Sequence, residues 1–185
     1  MKAIIISILL FLFILTARSQ QEMSHKLNIK ALYSNIPNQF LYQTVGMSKI
    51  GYPKVEISYG FSERMSVGAF AGTLITKAPS RKGNKKICYY SPNFGVSVNR
   101  ILIPRLFRSF DANLYGNARV GAYLDSGWAY SVGKGMMGSV GLGSAIKIWG
   151  PLAFIVEAGM GLGINDYWGP TINLGLSVNF SFFDE

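Results

Sequence analysis

Ile172-Asn173-Leu174-Gly175-Leu176-Ser177-Val178-Asn179-Phe180-Ser181-Phe182 is the stretch that decides the fold. Every second residue is a large apolar one, and each residue between is Asn, Gly or Ser. A period of two belongs to a β-strand, whose successive side chains point to opposite faces. The run matches the roughly 9–11 residues that a tilted strand needs to cross a bilayer.

Moving back along the chain, the same alternation recurs seven times. Phe154, Val156, Ala158, Met160 and Leu162 alternate with Ile155, Glu157, Gly159 and Gly161. Val140, Leu142, Ile146 and Ile148 stand against Gly141, Gly143, Ala145 and Lys147. Ala112, Leu114, Ala118, Val120 and Ala122 oppose Asp111, Asn113, Tyr115, Asn117 and Arg119. Tyr90, Phe94, Val96 and Val98 oppose Asn93, Gly95, Ser97 and Asn99. Val67, Ala69, Ala71, Thr73 and Ile75 share a face, opposite a mixed Ser66, Gly68, Phe70, Gly72 and Leu74. Val55, Ile57, Tyr59 and Phe61 enclose Glu56, Ser58 and Gly60. Leu27, Ile29, Ala31 and Tyr33 enclose Asn28, Lys30 and Leu32.

The connections alternate in length. Residues 35–50, 77–88, 124–135 and 164–170 are long and polar, whereas Ser62-Glu63-Arg64 and Trp149-Gly150-Pro151 are tight turns. Long loops at one end and short turns at the other are the arrangement of an up-and-down transmembrane β-barrel. The expectation is therefore an all-β, antiparallel barrel of eight strands. Arg100 to Ser109 is longer than the turn expected there, and residues 40–47 have strand character, so ten strands is the alternative.

Period two also describes a soluble exported β-domain, and the two faces discriminate. A face meeting bulk water is normally stocked with Lys, Glu and Thr. Here the polar face is Gly, Ser, Asn and Ala with single charges, which suits a crowded lumen. The opposite face is nearly unbroken Val, Leu, Ile, Ala and Phe, as a lipid-facing belt requires. Aromatic residues fall towards two rims. Tyr33, Tyr52, Tyr90, Tyr123, Trp128, Tyr130, Tyr167 and Trp168 are expected at the outer one, and Phe61, Phe107, Phe110, Trp149, Phe154, Phe180 and Phe182 at the inner one.

The first residues point to export. Met1-Lys2 is a short positive start, and Ala3 to Ala17 is an uncharged apolar run, too short to span as a helix. Ala17-Arg18-Ser19 offers small residues for cleavage, so residues 1–19 are expected to be a signal peptide and residues 20–185 the barrel domain. No Cys follows the run, which excludes a lipoprotein anchor.

Lys and Arg number 18 against 9 Asp and Glu, a net charge of +9. For an exported barrel the expected counter-charge is outer-membrane lipid, lipopolysaccharide phosphate or an acidic surface polymer, with no nucleic acid. Arg81, Lys82, Lys85 and Lys86 concentrate that charge in one loop and are the candidate anionic-surface contact; a merely solvated loop is the alternative. The single cysteine, Cys88, excludes an intramolecular disulfide and shares the parity of its apolar neighbours.

With these residues in view, the chain from Lys26 to Phe183 resembles the small outer-membrane barrels of the OmpX/OmpA type. Asn173, Gly175, Val178 and Phe180 are similar to that family's C-terminal assembly signal, although the chain continues through Phe182-Phe183-Asp184-Glu185. The resemblance implies insertion by the barrel-assembly machinery, a monomer, and the outer membrane of a Gram-negative bacterium.

The interior of an eight-stranded barrel is just wide enough for its own side chains. Charges on the inward face must pair or be costly. Lys30 with Glu56, Arg119 with Glu157, and Asp111 with Lys147 are the expected structural lumen pairs. A Ser–His–acid site is not expected, because His25 is the only histidine and falls at the inner start of the first strand. No metal or other cofactor is expected, since no His/Cys cluster exists. Gly141-Leu142-Gly143 and Gly159-Met160-Gly161-Leu162-Gly163 resemble nucleotide-loop fragments but read as lumen glycines within strands. The expected function is a non-enzymatic surface barrel whose loops serve adhesion, envelope stability or partner binding. The alternatives are a porin-like narrow conduit or pocket for small or hydrophobic molecules, and the soluble exported domain.

Overall fold

A computed structural model describes residues 25–35, 48–79, 86–106, 111–124, 135–162 and 168–181. All regular elements among them are strands: β1 Lys26–Asn35, β2 Ser48–Gly60, β3 Met65–Pro79, β4 Lys86–Ile103, β5 Ala112–Tyr123, β6 Gly135–Trp149, β7 Leu152–Leu162 and β8 Trp168–Ser181. Each pairs antiparallel with its sequence neighbours, and β1 pairs with β8, so the sheet closes in strict sequence order. Closure leaves no unpaired edge, which is what allows a sheet to sit in lipid. The eight expected strands are all present, and residues 40–47 lie outside the described residues.

The alternation separates inside from outside. On β2, Val55 and Ile57 are 48% and 49% exposed while Glu56 between them is 0% exposed. Val96, Val140, Leu142, Ile172, Leu174 and Leu176 likewise face out, and Ser58, Ser66, Asn93, Ser97, Asn99, Asn117 and Asn173 are buried in the lumen. An exposed apolar exterior around a polar interior inverts the ordinary globular arrangement. It is the arrangement of a transmembrane barrel.

Several lumen glycines make room for rings. A Cβ on Gly143 would stand 2.5 Å from Cζ of Tyr115, and a Cβ on Gly95 would stand 2.7 Å from Cζ of Phe70. The aromatic residues therefore lie across bare backbone, and Leu32, Tyr115 and Ile155 form the one apolar cluster described inside the barrel.

Tyr59, Phe61, Tyr33, Tyr90, Phe154, Phe180 and Trp149 are exposed on the outer surface. Tyr52 and Tyr123, expected in the outer girdle, instead point into the lumen. The parity of β2 and β5 decides this: Tyr52 shares its face with Lys54 and Glu56, and Tyr123 shares its face with Arg119. Trp128, Tyr130, Tyr167, Phe107, Phe110 and Phe182 are outside the described residues.

The barrel has a turn end and a loop end. At the turn end, β2 and β3 are joined tightly, with Phe61 N donating to Met65 O (3.1 Å) and Met65 N to Ser62 Oγ (3.1 Å). Between β6 and β7, Gly150 takes a positive φ of 50° with nothing near its missing side chain. The β4–β5 connection is shortened from the expected Arg100–Ser109 because β4 continues to Ile103 through a bulge between Ile101 and Ile103. Ile101 keeps the inward parity of Ser97 and Asn99 and is buried, whereas the bulge turns Ile103 outward, and Ile101 N donates to Arg64 O (2.8 Å). At the loop end the β3–β4 ladder runs on to Pro79 opposite Lys86, so much of the expected 77–88 loop is strand. Ile87, Cys88, Tyr89 and Tyr90 are strand formers, and they extend the hairpin despite the adjacent lysines.

Candidate functional site

Four charged residues meet at the centre of the lumen. Lys30 on β1, Glu56 on β2, Arg119 on β5 and Glu157 on β7 all occupy inward positions, and the curvature of the sheet brings them together. Lys30 and Glu56 are register partners on adjacent strands, whereas Arg119 reaches across the lumen to both carboxylates.

The geometry is one network. Glu56 Oε1 lies 3.2 Å from Lys30 Nζ and accepts from Asn99 Nδ2 at 2.9 Å, while its Oε2 accepts from Arg119 Nε at 2.7 Å. Glu157 receives the other side of the guanidinium, with Nη1 at 2.9 Å and Nη2 at 2.8 Å. It also accepts from Tyr115 OH at 2.8 Å and from Asn173 Nδ2 at 2.7 Å. Lys30 Nζ sits 3.8 Å from Glu157, 3.0 Å from Asn99 Oδ1 and 4.6 Å from the centre of the Tyr115 ring. Arg119 donates in addition to Asn117 Oδ1 at 3.0 Å.

The expectation was two separate pairs, Lys30–Glu56 and Arg119–Glu157. Both contacts are present, but Arg119 joins them into a single cluster. A bidentate guanidinium presents a planar fork that one carboxylate fills, and its Nε is left for a second. Lys54, not among the residues expected from the sequence, is buried and extends the cluster. Its Nζ donates to Asn173 Oδ1 at 3.3 Å, Ser34 Oγ donates to the same oxygen, and the Tyr52 ring lies 5.5 Å away. The neutral members Asn99, Asn117, Asn173 and Tyr115 were placed on the inward face by parity. Their roles depend on which wall they stand opposite, and alternation carries no information about that.

The third expected pair is different in kind. Lys147 Nζ lies 3.5 Å from Asp111 Oδ2 at the turn-end mouth, with both side chains about half exposed. Of the basic loop, Arg81, Lys82 and Lys85 lie outside the described residues, as does the side chain of Lys86. Cys88 is exposed, opposite Lys77 in the ladder. His25, just before β1, has its Nδ1 2.9 Å from Tyr59 OH. Gly141, Gly143, Gly159 and Gly161 lie within β6 and β7.

No protein-family model and no curated protein sequence matches this chain. Among solved structures, the N-terminal β-barrel domain of Pseudomonas aeruginosa OprF superposes with a TM-score of 0.56 at 10% sequence identity, covering 85% of this chain and 98% of that one. The fold is shared with that barrel. Two other matches are a de novo designed transmembrane β-barrel (TM-score 0.49, 12% identity, 88% and 100% coverage) and Yersinia pestis outer membrane protein Ail (TM-score 0.48, 15% identity, 85% and 100% coverage). At such identities the likeness concerns the path of the chain and not its side chains.

Proposed function

We propose that this chain is a non-enzymatic outer-membrane barrel of a Gram-negative envelope, sealed through its centre, with its working surface in the long loops. The observation that carries the reading is the inversion of the fold: a continuous exposed apolar belt around a lumen closed by buried, mutually paired charges. Such a belt would be unstable in water, and lipid is the medium that removes it. In this reading the turn end, where β1 starts and β8 finishes, faces the periplasm, and residues 1–19 are the export signal.

The closure supports a structural rather than a conducting role. The carboxylates of Glu56 and Glu157 are 0% and 1% exposed, so water does not reach them from either end. In this reading Arg81, Lys82 and Lys85, between β3 and β4 in the sequence, and Lys86 at the start of β4 belong to the outward end, suited to lipopolysaccharide phosphate or an acidic surface polymer in adhesion, envelope stability or partner binding.

Fractionation tests location: the chain is expected with outer membranes, running faster on gels unheated than boiled. Recovery as a detergent-free periplasmic protein would overturn the reading. In planar bilayers the intact barrel is expected to give small or rare conductance, and a large stable open channel would favour the conduit alternative.

A further inference from the structure

The lumen contains a second polar region, separate from the central network. A cavity of about 280 Å³ opens at the turn end, and none of Lys30, Glu56, Arg119 or Glu157 lines it. Among the described residues its charged groups are Lys26 on β1, Lys147 on β6 and Asp111 before β5. Lys147 is held loosely by Asp111 at 3.5 Å. Lys26 has no ion-pair partner among the described residues. The charged groups described around the cavity therefore sum to one positive charge.

Its neutral groups are oriented. Asn113, which lines the cavity, accepts from Ala145 N through Oδ1 at 3.3 Å, which leaves its Nδ2 as the donor end of the amide. Asn28 Nδ2 donates to Asn179 Oδ1, which leaves Asn28 Oδ1 buried without a donor. The hydroxyl of Ser66, on a residue 3% exposed, is also buried without a partner. Buried polar atoms are nearly always satisfied, by protein, water or ligand. Ile101 and Ala153 add a small apolar surface.

We propose that this cavity binds a small carboxylate that carries a hydrogen-bond donor close to its acid group, as an N-acyl amino acid or a peptide C-terminus does. Lys26 and Lys147 take the carboxylate, assisted by the Asn113 amide and the Ser66 hydroxyl. The orphaned Asn28 carbonyl oxygen takes the donor, and Ile101 with Ala153 accommodates a methyl-sized side chain. Inorganic phosphate fits less well, because Asp111 repels a second negative charge and the Asn28 oxygen would face another acceptor. The proposal concerns the cavity alone and does not depend on which membrane holds the barrel.

The test uses the full chain folded in detergent micelles, with N-acetylalanine titrated by calorimetry and by amide chemical-shift changes. N-acetylalanine is expected to bind, with shifts at the Asn28 and Asn113 side-chain amides, and its carboxamide is expected to bind at least tenfold more weakly. Lys26→Gln and Lys147→Gln should each weaken binding about five- to tenfold, with unheated gel mobility retained to show that the barrel is folded. Ser66→Ala should weaken it less. Tri-alanine distinguishes the sources: tighter binding than N-acetylalanine assigns an extended peptide, and equal binding assigns a free acid. Absence of N-acetylalanine binding, equal binding of its carboxamide, or phosphate binding as tight as the carboxylate would overturn the proposal.

Discussion

Lys30, Glu56, Arg119 and Glu157 at the centre of the lumen, and Lys147 with Asp111 at its mouth, use the same residue types in two dielectric settings. In the centre every carboxylate oxygen has protein donors, and the Glu56 and Glu157 side chains are 0% and 1% exposed. At the mouth a single contact of 3.5 Å joins two half-exposed side chains. Two unit charges at 4 Å attract by about 1 kcal/mol in water and about 4 kcal/mol at an effective dielectric of 20. The larger attraction at the centre does not by itself mean larger net stability, because desolvation opposes it. What burial changes is the penalty for losing one partner.

The largest expected effect follows from that penalty. Glu157→Gln leaves Arg119 short of a bidentate partner, and is expected to cost roughly 3–5 kcal/mol. Urea unfolding from lipid vesicles measures it. Unchanged stability would mean the carboxylate is hydrated and the central setting is not dry. The same variant is expected to raise conductance in planar bilayers, since a stranded guanidinium draws water into the lumen.

A charge placed on the other side of the wall meets a third setting. Leu174, 48% exposed on the outer face, has neither water nor a partner near mid-barrel if lipid surrounds it. Leu174→Arg, or Leu142→Arg, is expected to cost roughly 2–4 kcal/mol. Tolerance equal to that of a mouth position would say the belt is not in lipid.

A steric test separates electrostatics from packing at the centre. A Cβ on Gly175 would collide with the carbonyl oxygen of Ala31 and stand 2.9 Å from Cα of Leu32. Gly175→Ala is expected to cost about 1–3 kcal/mol, the range for overpacking a filled interior. A neutral result in the same unfolding assay would show that β1 and β8 can separate without loss. The smallest effect belongs to the mouth: Asp111→Asn is expected to change stability by no more than about 1 kcal/mol, and less at high salt. A cost close to that of Glu157→Gln would erase the distinction between the two regions.

The alternation along each strand determined, without any structure, which side chains face the lumen and which face outward. Parity is a local property of an extended chain, so Glu56, Arg119, Asn99 and Glu157 were readable as interior, and Leu174 as exterior, from their neighbours alone. Antiparallel order followed from the turns, whereas eight strands rather than ten was decided by the closure of β1 on β8. Loop composition determined less: the lysines near residue 77 and the strand formers at 87–90 pull in opposite directions, and cross-strand pairing with β3 decides it. Tyr52 and Tyr123 were misplaced because aromatic type was read ahead of parity. Only the closed barrel decided who meets whom inside. Arg119 contacts Glu56 from three strands away, and Asn173 bridges Glu157, Ser34 and Lys54, because curvature and stagger bring non-neighbouring strands within a side chain's reach. Those contacts, and the cavity beneath them, are properties of the closed surface, which a linear pattern of period two cannot encode.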